Sequence, residues 1–192
     1  PVGSGMFAEK GGTLPVMVLT NCDEIELRYG SYPAKRIGPD REAFPHLPHA
    51  PVIIDRRHFT DEELGLWGME WMDATITGYV TGKPARQMHY VADPVDTTLQ
   101  VVADRDAIAA AGKDSVRIMV RALDQAGNKL PFLLDPVEIA ISGAARLIGP
   151  SLVPLRGGST GFWIESTGAA GAITVNVTSP RFGTATISLN AR

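Results

Sequence analysis

The chain has 192 residues, 44% hydrophobic and 20% charged, an ordinary globular balance that excludes a disordered or collagen-like protein. Its 18 Lys and Arg against 21 Asp and Glu leave a formal net charge of -3, which provides no basic footprint for nucleic acid. No apolar run approaches the ~18 residues of a membrane span, and the one cysteine, Cys22, excludes an internal disulfide.

The length allows one large domain or two small ones. The chain opens on Pro1 without a basic-then-apolar leader and is expected to be a piece of something longer. Twenty glycines and 14 prolines punctuate short apolar segments, the pattern of an all-β protein. Val16-Met17-Val18-Leu19 reads as a buried strand, and Glu24-Ile25-Glu26-Leu27-Arg28 alternates with Ile25 and Leu27 on one face. Asn21-Cys22-Asp23 between them carries turn chemistry, so the two strands are expected to form a hairpin. Pro33, Pro39, Pro45, Pro48 and Pro51 make residues 30–51 an irregular excursion, because each proline removes a ladder donor. Pro51-Val52-Ile53-Ile54-Asp55 resumes as strand. Thr60-Asp61-Glu62-Glu63 fits a capping box opening one helical turn, while Gly65 and Gly68 oppose a long helix. Ala74 to Tyr79, a turn at Val80–Pro84, and Ala85 to Val91 read as a β-hairpin.

Asp93-Pro94-Val95-Asp96 is a natural joint. Beyond it lie strand-like segments at Leu99–Val102, Val116–Val120, Val137–Ile141, Gly161–Glu165, Ile173–Val177 and Ala185–Leu189. Asp106–Ala111 is rich in alanine but too short to sustain a helix by itself. Asp124-Gln125-Ala126-Gly127-Asn128 is a turn. Six or seven short strands with turns every ~8–12 residues match the spacing of an Ig-like sandwich. The expected fold is therefore all-β, with two consecutive immunoglobulin-like β-sandwich domains. Residues 8–94 would form the first, carrying the Pro-rich insertion, and residues 95–192 the second.

Several residue groups bear on chemistry. Glu24 and Glu26 share one strand face, where a solvated charged face outweighs an acid/base pair. Asp61, Glu62 and Glu63 read as the acidic start of a helix. His46, His49 and His58 lack zinc-type spacing and belong to a solvated loop. Cys22 reads as a small buried apolar residue, and Asn176-Val177-Thr178 as a chance acceptor triplet. The aromatic residues Trp67, Trp71 and Trp163 are mainly core candidates. A sugar, if bound, would stack its C–H face on an aromatic ring, with Trp67, Trp71, Tyr79 and Tyr32 the candidates.

Read in order, these segments resemble a known family. Val16 to Leu27, with its Thr20-Asn21-Cys22-Asp23-Glu24 centre, is similar to a stretch of a C-terminal domain in glycoside hydrolase family 2 enzymes. Tyr79-Val80-Thr81-Gly82-Lys83-Pro84 resembles that domain's last hairpin. Val101–Ile108 with Gly112-Lys113-Asp114 resembles the start of the next domain of the same enzymes. Val120–Asn128, Ile141–Gly149 and Ser166–Val175 resemble its later turns and strands.

The resemblance implies a C-terminal, non-catalytic region of a β-galactosidase-like family member. It would support the catalytic barrel, oligomer contacts or polysaccharide engagement. The family's retaining chemistry needs two carboxyls about 5 Å apart on a (β/α)₈ barrel, and no such barrel pattern occurs here, so no catalytic residue is carried over. No cofactor and no metal ligand is expected. The implied partners are the catalytic domains of the parent hydrolase, with carbohydrate as the further candidate, and neither nucleic acid nor membrane. A bacterial secreted or periplasmic setting is the expectation over a cytoplasmic one. The alternative is a free-standing carbohydrate-binding or adhesin-type Ig-like module.

Overall fold

A computed structural model describes residues 15–64 and 72–192. The described residues are almost entirely strand and turn, so the protein is all-β. The chain divides into two compact units between Asp93 and Pro94.

The first unit contains β1 (Val16–Val18), β2 (Glu24–Tyr29), β3 (Lys35–Ile37), β4 (Val52–Ile54), a 3₁₀ turn (Arg56–His58), the helical turn α1 (Asp61–Leu64), β5 (Ala74–Val80) and β6 (Lys83–Tyr90). A four-stranded antiparallel sheet runs in the order β3-β2-β5-β6, and β1 pairs with β4 in a separate ribbon. The alternation of β2 turns Ile25, Leu27 and Tyr29 inward. They meet Val16, Val18, Val52 and Ile54 of the ribbon in one apolar cluster with Ile37, Ala74 and Ile76.

The expected hairpin of β1 and β2 is not formed. Val16–Val18 pairs with Val52–Ile54, whereas β2 pairs with β3 and β5. The polar groups of the intervening turn are spent elsewhere. Cys22 donates its amide to Thr20 Oγ1 at 3.0 Å. Asp23 donates its amide to the Tyr79 carbonyl and accepts the Thr81 amide on Oδ2 at 2.7 Å. The segment therefore arches between two layers, and Cys22 lies buried between them.

The Pro-rich excursion also holds more order than expected. β3 fits between Pro33 and Pro39, where no ladder donor is missing. Asp40 then organises the loop: its amide donates to the Pro51 carbonyl, and its Oδ1 accepts the Ala43 amide at 3.0 Å. The capping box forms as expected, with the Thr60 amide donating to Glu63 Oε2 and the Glu63 amide to Thr60 Oγ1. The hairpin of β5 and β6 turns on Thr81 (φ 51°) and Gly82 (φ 74°), the pair of positive φ values that a tight hairpin turn demands.

The second unit contains β7 (Thr98–Ala103), β8 (Ala107–Ile108), β9 (Ser115–Leu123), β10 (Pro136–Gly143), β11 (Ala145–Ile148), β12 (Leu152–Pro154), β13 (Ser159–Ser166), β14 (Gly171–Ser179) and β15 (Gly183–Ala191). These nine strands exceed the expected six or seven, because β8, β11 and β12 have only two to four residues and lack a legible alternation. One sheet runs β12-β10-β14-β15-β8 and the other β11-β13-β9-β7. Val137, Ile139, Ile173, Val175 and Val177 of the first sheet and Val116, Ile118, Val120, Phe162 and Ile164 of the second belong to one buried core, which makes a β-sandwich.

The chain passes from one sheet to the other at Gly143. Gly143 still pairs with Ile173, and Ala145 already pairs with Ser166 of the opposite sheet. Gly143 sits at φ 91°, and a Cβ there would stand 2.0 Å from the Ala172 carbonyl oxygen. Only glycine fits this crossing.

Candidate functional site

The outer face of the first unit's sheet holds three of the residues considered for chemistry, Glu24, Glu26 and Tyr79. Glu24 lies across the ladder from Tyr79, and Glu26 from Arg36. Arg36 binds Glu24 at 2.6 Å and Glu26 at 3.2 Å, and Arg28 binds Glu26 at 2.9 Å. The Arg36 guanidinium also lies 3.5 Å from the centre of the Tyr79 ring. The two glutamates are thus bridged by one guanidinium, the arrangement of a structural ion ladder.

Tyr32 lies on the other side. It packs against the apolar core, and its hydroxyl is 3.5 Å from the Glu62 carbonyl. Tyr79 and Tyr32 therefore do not form one stacking platform. Trp67 and Trp71 lie outside the described residues. Trp163 is 48% exposed on β13, between Arg117 and Ile148 on the neighbouring strands. It is a surface residue rather than a core aromatic, and the alternation of Phe162 and Ile164 inward signals this.

A cleft of about 660 Å³ opens beside the Pro-rich loop, lined by Arg36, Asp40, Glu42, Ile53, Arg57 and His58 among others. Several of its polar groups are engaged. His58 Nδ1 accepts the Asp55 amide at 3.1 Å, while Asp55 accepts the Arg57 amide at 3.0 Å and the Arg57 Nε at 2.9 Å. The Arg57 guanidinium holds the Asp55 carboxyl below its usual range. His58 thus serves a cap, and His46 and His49 are exposed in the loop.

Glu63 is a site that sequence patterning placed only in part. It starts the helical turn as expected, yet its side chain is buried and ion-paired with Lys35, whose ammonium also lies 4.6 Å from the Phe59 ring centre. Burial pushes this carboxyl up, but the Lys35 ammonium and the Thr60 amide outweigh it, and the net shift is downward. The partner sits 28 residues away, and no local pattern announces it.

In the second unit, Asp114 closes the loops after β7 and β8. Arg105 grips it with two N–H groups at 2.9 and 3.2 Å and the Ala109 amide adds a third at 2.8 Å, which together lower its pKa to about 2. Asn176 of the glycosylation-type triplet lies within β14 and accepts the Thr186 hydroxyl at 2.7 Å. These groups are cross-strand and loop-closing contacts, which hold the two units in shape.

The two units define an all-β class of protein, the second of them a β-sandwich. Residues 99–188 match the family model of the glycoside hydrolase family 2 C-terminal domain 5. A β-galactosidase of Rhizobium meliloti is 62% identical over 149 residues, covering 78% of this chain and 20% of that protein. A β-galactosidase of Rhizobium radiobacter is 43% identical over 128 residues, covering 67% of this chain and 93% of that sequence. A family 2 glycosyl hydrolase from Bacteroides cellulosilyticus has the same fold over 99% of this chain and 24% of its own, with a TM-score of 0.70 at 16% identity. The chain belongs to glycoside hydrolase family 2, as a C-terminal accessory region. It spans about a fifth of the length of the Rhizobium meliloti relative.

Proposed function

We propose that this chain is the accessory tail of a β-galactosidase-like hydrolase, which supports the catalytic barrel, oligomer contacts or polysaccharide engagement. The observation that carries this reading is the 62% identity to a β-galactosidase over 149 residues that make up only 20% of that protein. Retaining glycoside hydrolysis needs two carboxyls about 5 Å apart beside the scissile bond. Glu24 and Glu26, which share one strand face, are instead neutralised by Arg36 and Arg28. The chemistry then belongs to the rest of the parent.

The two-module organisation, residues 8–94 and 95–192, is part of the same proposal. For the second module, an Ig-type reading is supported by the strand orders of the two sheets and by the parallel pairing of β8 with β15. Polysaccharide engagement is assigned to Trp67, Trp71, Tyr79 and Tyr32. Of these, Tyr79 lies on the outer sheet face, with the Arg36 guanidinium stacked over its ring at 3.5 Å from the centre.

The test is the size and activity of the native polypeptide. An antibody raised to this chain should detect a band several times its mass in lysate of the source organism, and that protein should hydrolyse a β-galactoside. A native band at the mass of the chain itself would overturn the reading. Glycan binding by the isolated chain, lost on Trp67→Ala or Trp71→Ala, would then favour the free-standing module.

A further inference from the structure

The second unit carries an apolar projection that its own core does not use. Phe132 is 81% exposed and Leu134 69%, in the loop between β9 and β10. Leu133 between them packs inward on the core. The surface continues onto the sheet, where Pro136 pairs with Pro154, and Leu152, 63% exposed, is across from Glu138. Single exposed apolar residues are ordinary, but three large ones with two prolines along one loop and edge strand are not.

This loop is held in place. The Leu130 amide donates to the Ala122 carbonyl, the Gly158 amide to the Leu133 carbonyl, and the Leu155 amide to the Asp135 carbonyl. Arg181 binds Asp135 at 3.2 Å and Asp96 at 2.7 Å, which ties three loops together at this end of the sandwich. Gly158 makes the close approach possible, since a Cβ there would stand 2.0 Å from the Leu130 carbonyl oxygen. Phe132 and Leu134 are therefore displayed on a fixed backbone, which lowers the ordering cost of docking.

We infer that the Phe132–Leu134 loop, with Leu152, is the surface through which this unit docks onto an apolar pocket in the remaining body of the same hydrolase chain. The inference rests on the accessory reading above and names its contact. Two observations select this occupant over a second copy. The patch comprises five side chains, far short of the ~20–30 residues a side of a stable free interface. A covalently linked domain needs much less, because the link supplies an effective concentration near the millimolar range. The relatives supply such a body: about four-fifths of the Rhizobium meliloti protein lies outside the matched region. Asp96 and Asp135 at the rim are neutralised by Arg181, and Glu138, across the ladder from Leu152, is an exposed carboxylate at the edge of the patch.

Hydroxyl-radical footprinting reads side-chain exposure directly. It is applied to the 192-residue chain and to the full-length parent, each with its mass checked by sedimentation. Labelling of Phe132 and Leu134 should be high in the chain and about fivefold lower in the monomeric parent, because an interface core excludes water as an interior does. Equal labelling in both would overturn the inference and leave the accessory reading intact. Protection only in a dimer, lost on dilution, or protection already present in the 192-residue chain, would overturn it in favour of another occupant. The paired variant Phe132→Ser, Leu134→Ser should leave the melting of the 192-residue chain unchanged and lower the transition of this unit in the parent by about 3 °C. An unchanged parent would also overturn it. A native protein no larger than the chain would instead remove the accessory reading itself.

Discussion

The two units close the same kind of apolar core by different means. The second is built from long strands: β9, β14 and β15 have nine residues each, and β13 has eight. Their strict alternation supplies two apolar faces, and backbone ladders join each sheet across its width. In the first unit β1, β3 and β4 have three residues each. Such short strands carry few ladder bonds, and side chains take over the closing. Asp55 and His58 cap the 3₁₀ turn, Thr60 and Glu63 cap α1, and Lys35 binds Glu63 across the fold. A unit closed by ladders depends on backbone fit, and a unit closed by side chains depends on charge.

The largest effect that would separate the two is at Gly143. Gly143→Ala combines a positive φ with a 2.0 Å approach to a backbone oxygen, which cannot move without breaking the ladder. We expect a loss of about 4 kcal/mol in the second unit, read as faster hydrogen exchange in β14 with β2 unchanged. Unchanged exchange in β14 would mean that the sheet crossing does not depend on backbone fit.

A smaller effect is expected at Glu63. Glu63→Gln leaves the Lys35 ammonium without its counter-charge in a largely buried setting and weakens the cap, at about 2 kcal/mol in the first unit. Chemical denaturation followed by exchange in β2 measures it. A loss below about 0.5 kcal/mol would show that the side-chain closure is dispensable.

The smallest effect is pH dependent and sharpens the comparison within the second unit. The folded pKa of Asp114, about 2, lies below its ordinary 3.8. The unfolded chain then binds the proton more readily, so stability is present above about 3.8 and is lost as the pH falls toward 2. Asp114→Asn should flatten this part of the acid unfolding curve. An identical curve for the variant would remove Asp114 from the acid response. Asp55 and Glu63 are lowered too, so the first unit should weaken over the acid range in the same direction.

Much of this was legible in the residues. The inward sides of β2, β9 and β14 follow from alternation, because a strand turns successive side chains to opposite faces. The turn at Thr81-Gly82 and the box at Thr60 and Glu63 were legible because their partners lie within four residues. Other features were not. The partner of β1 is β4, some 35 residues on, and two apolar strands look alike whichever neighbour they choose. The outer-face carboxylates of Glu24 and Glu26 were read correctly as a charged face, but the guanidinium that joins them to Tyr79 was not visible.

Local patterning determined that the chain is all-β, which faces are apolar, and where several turns fall. These depend on periodicity and on the conformational limits of Gly, Pro, Asn and Asp, which act within a few residues. The ordered motifs carried the family as well. Tertiary structure alone decided that β1 pairs with β4, that Glu63 is buried against Lys35, and that Phe132 and Leu134 project while Leu133 turns in. Pairing and burial are set by residues far apart in the chain that approach within a few ångströms only after the sheets have closed.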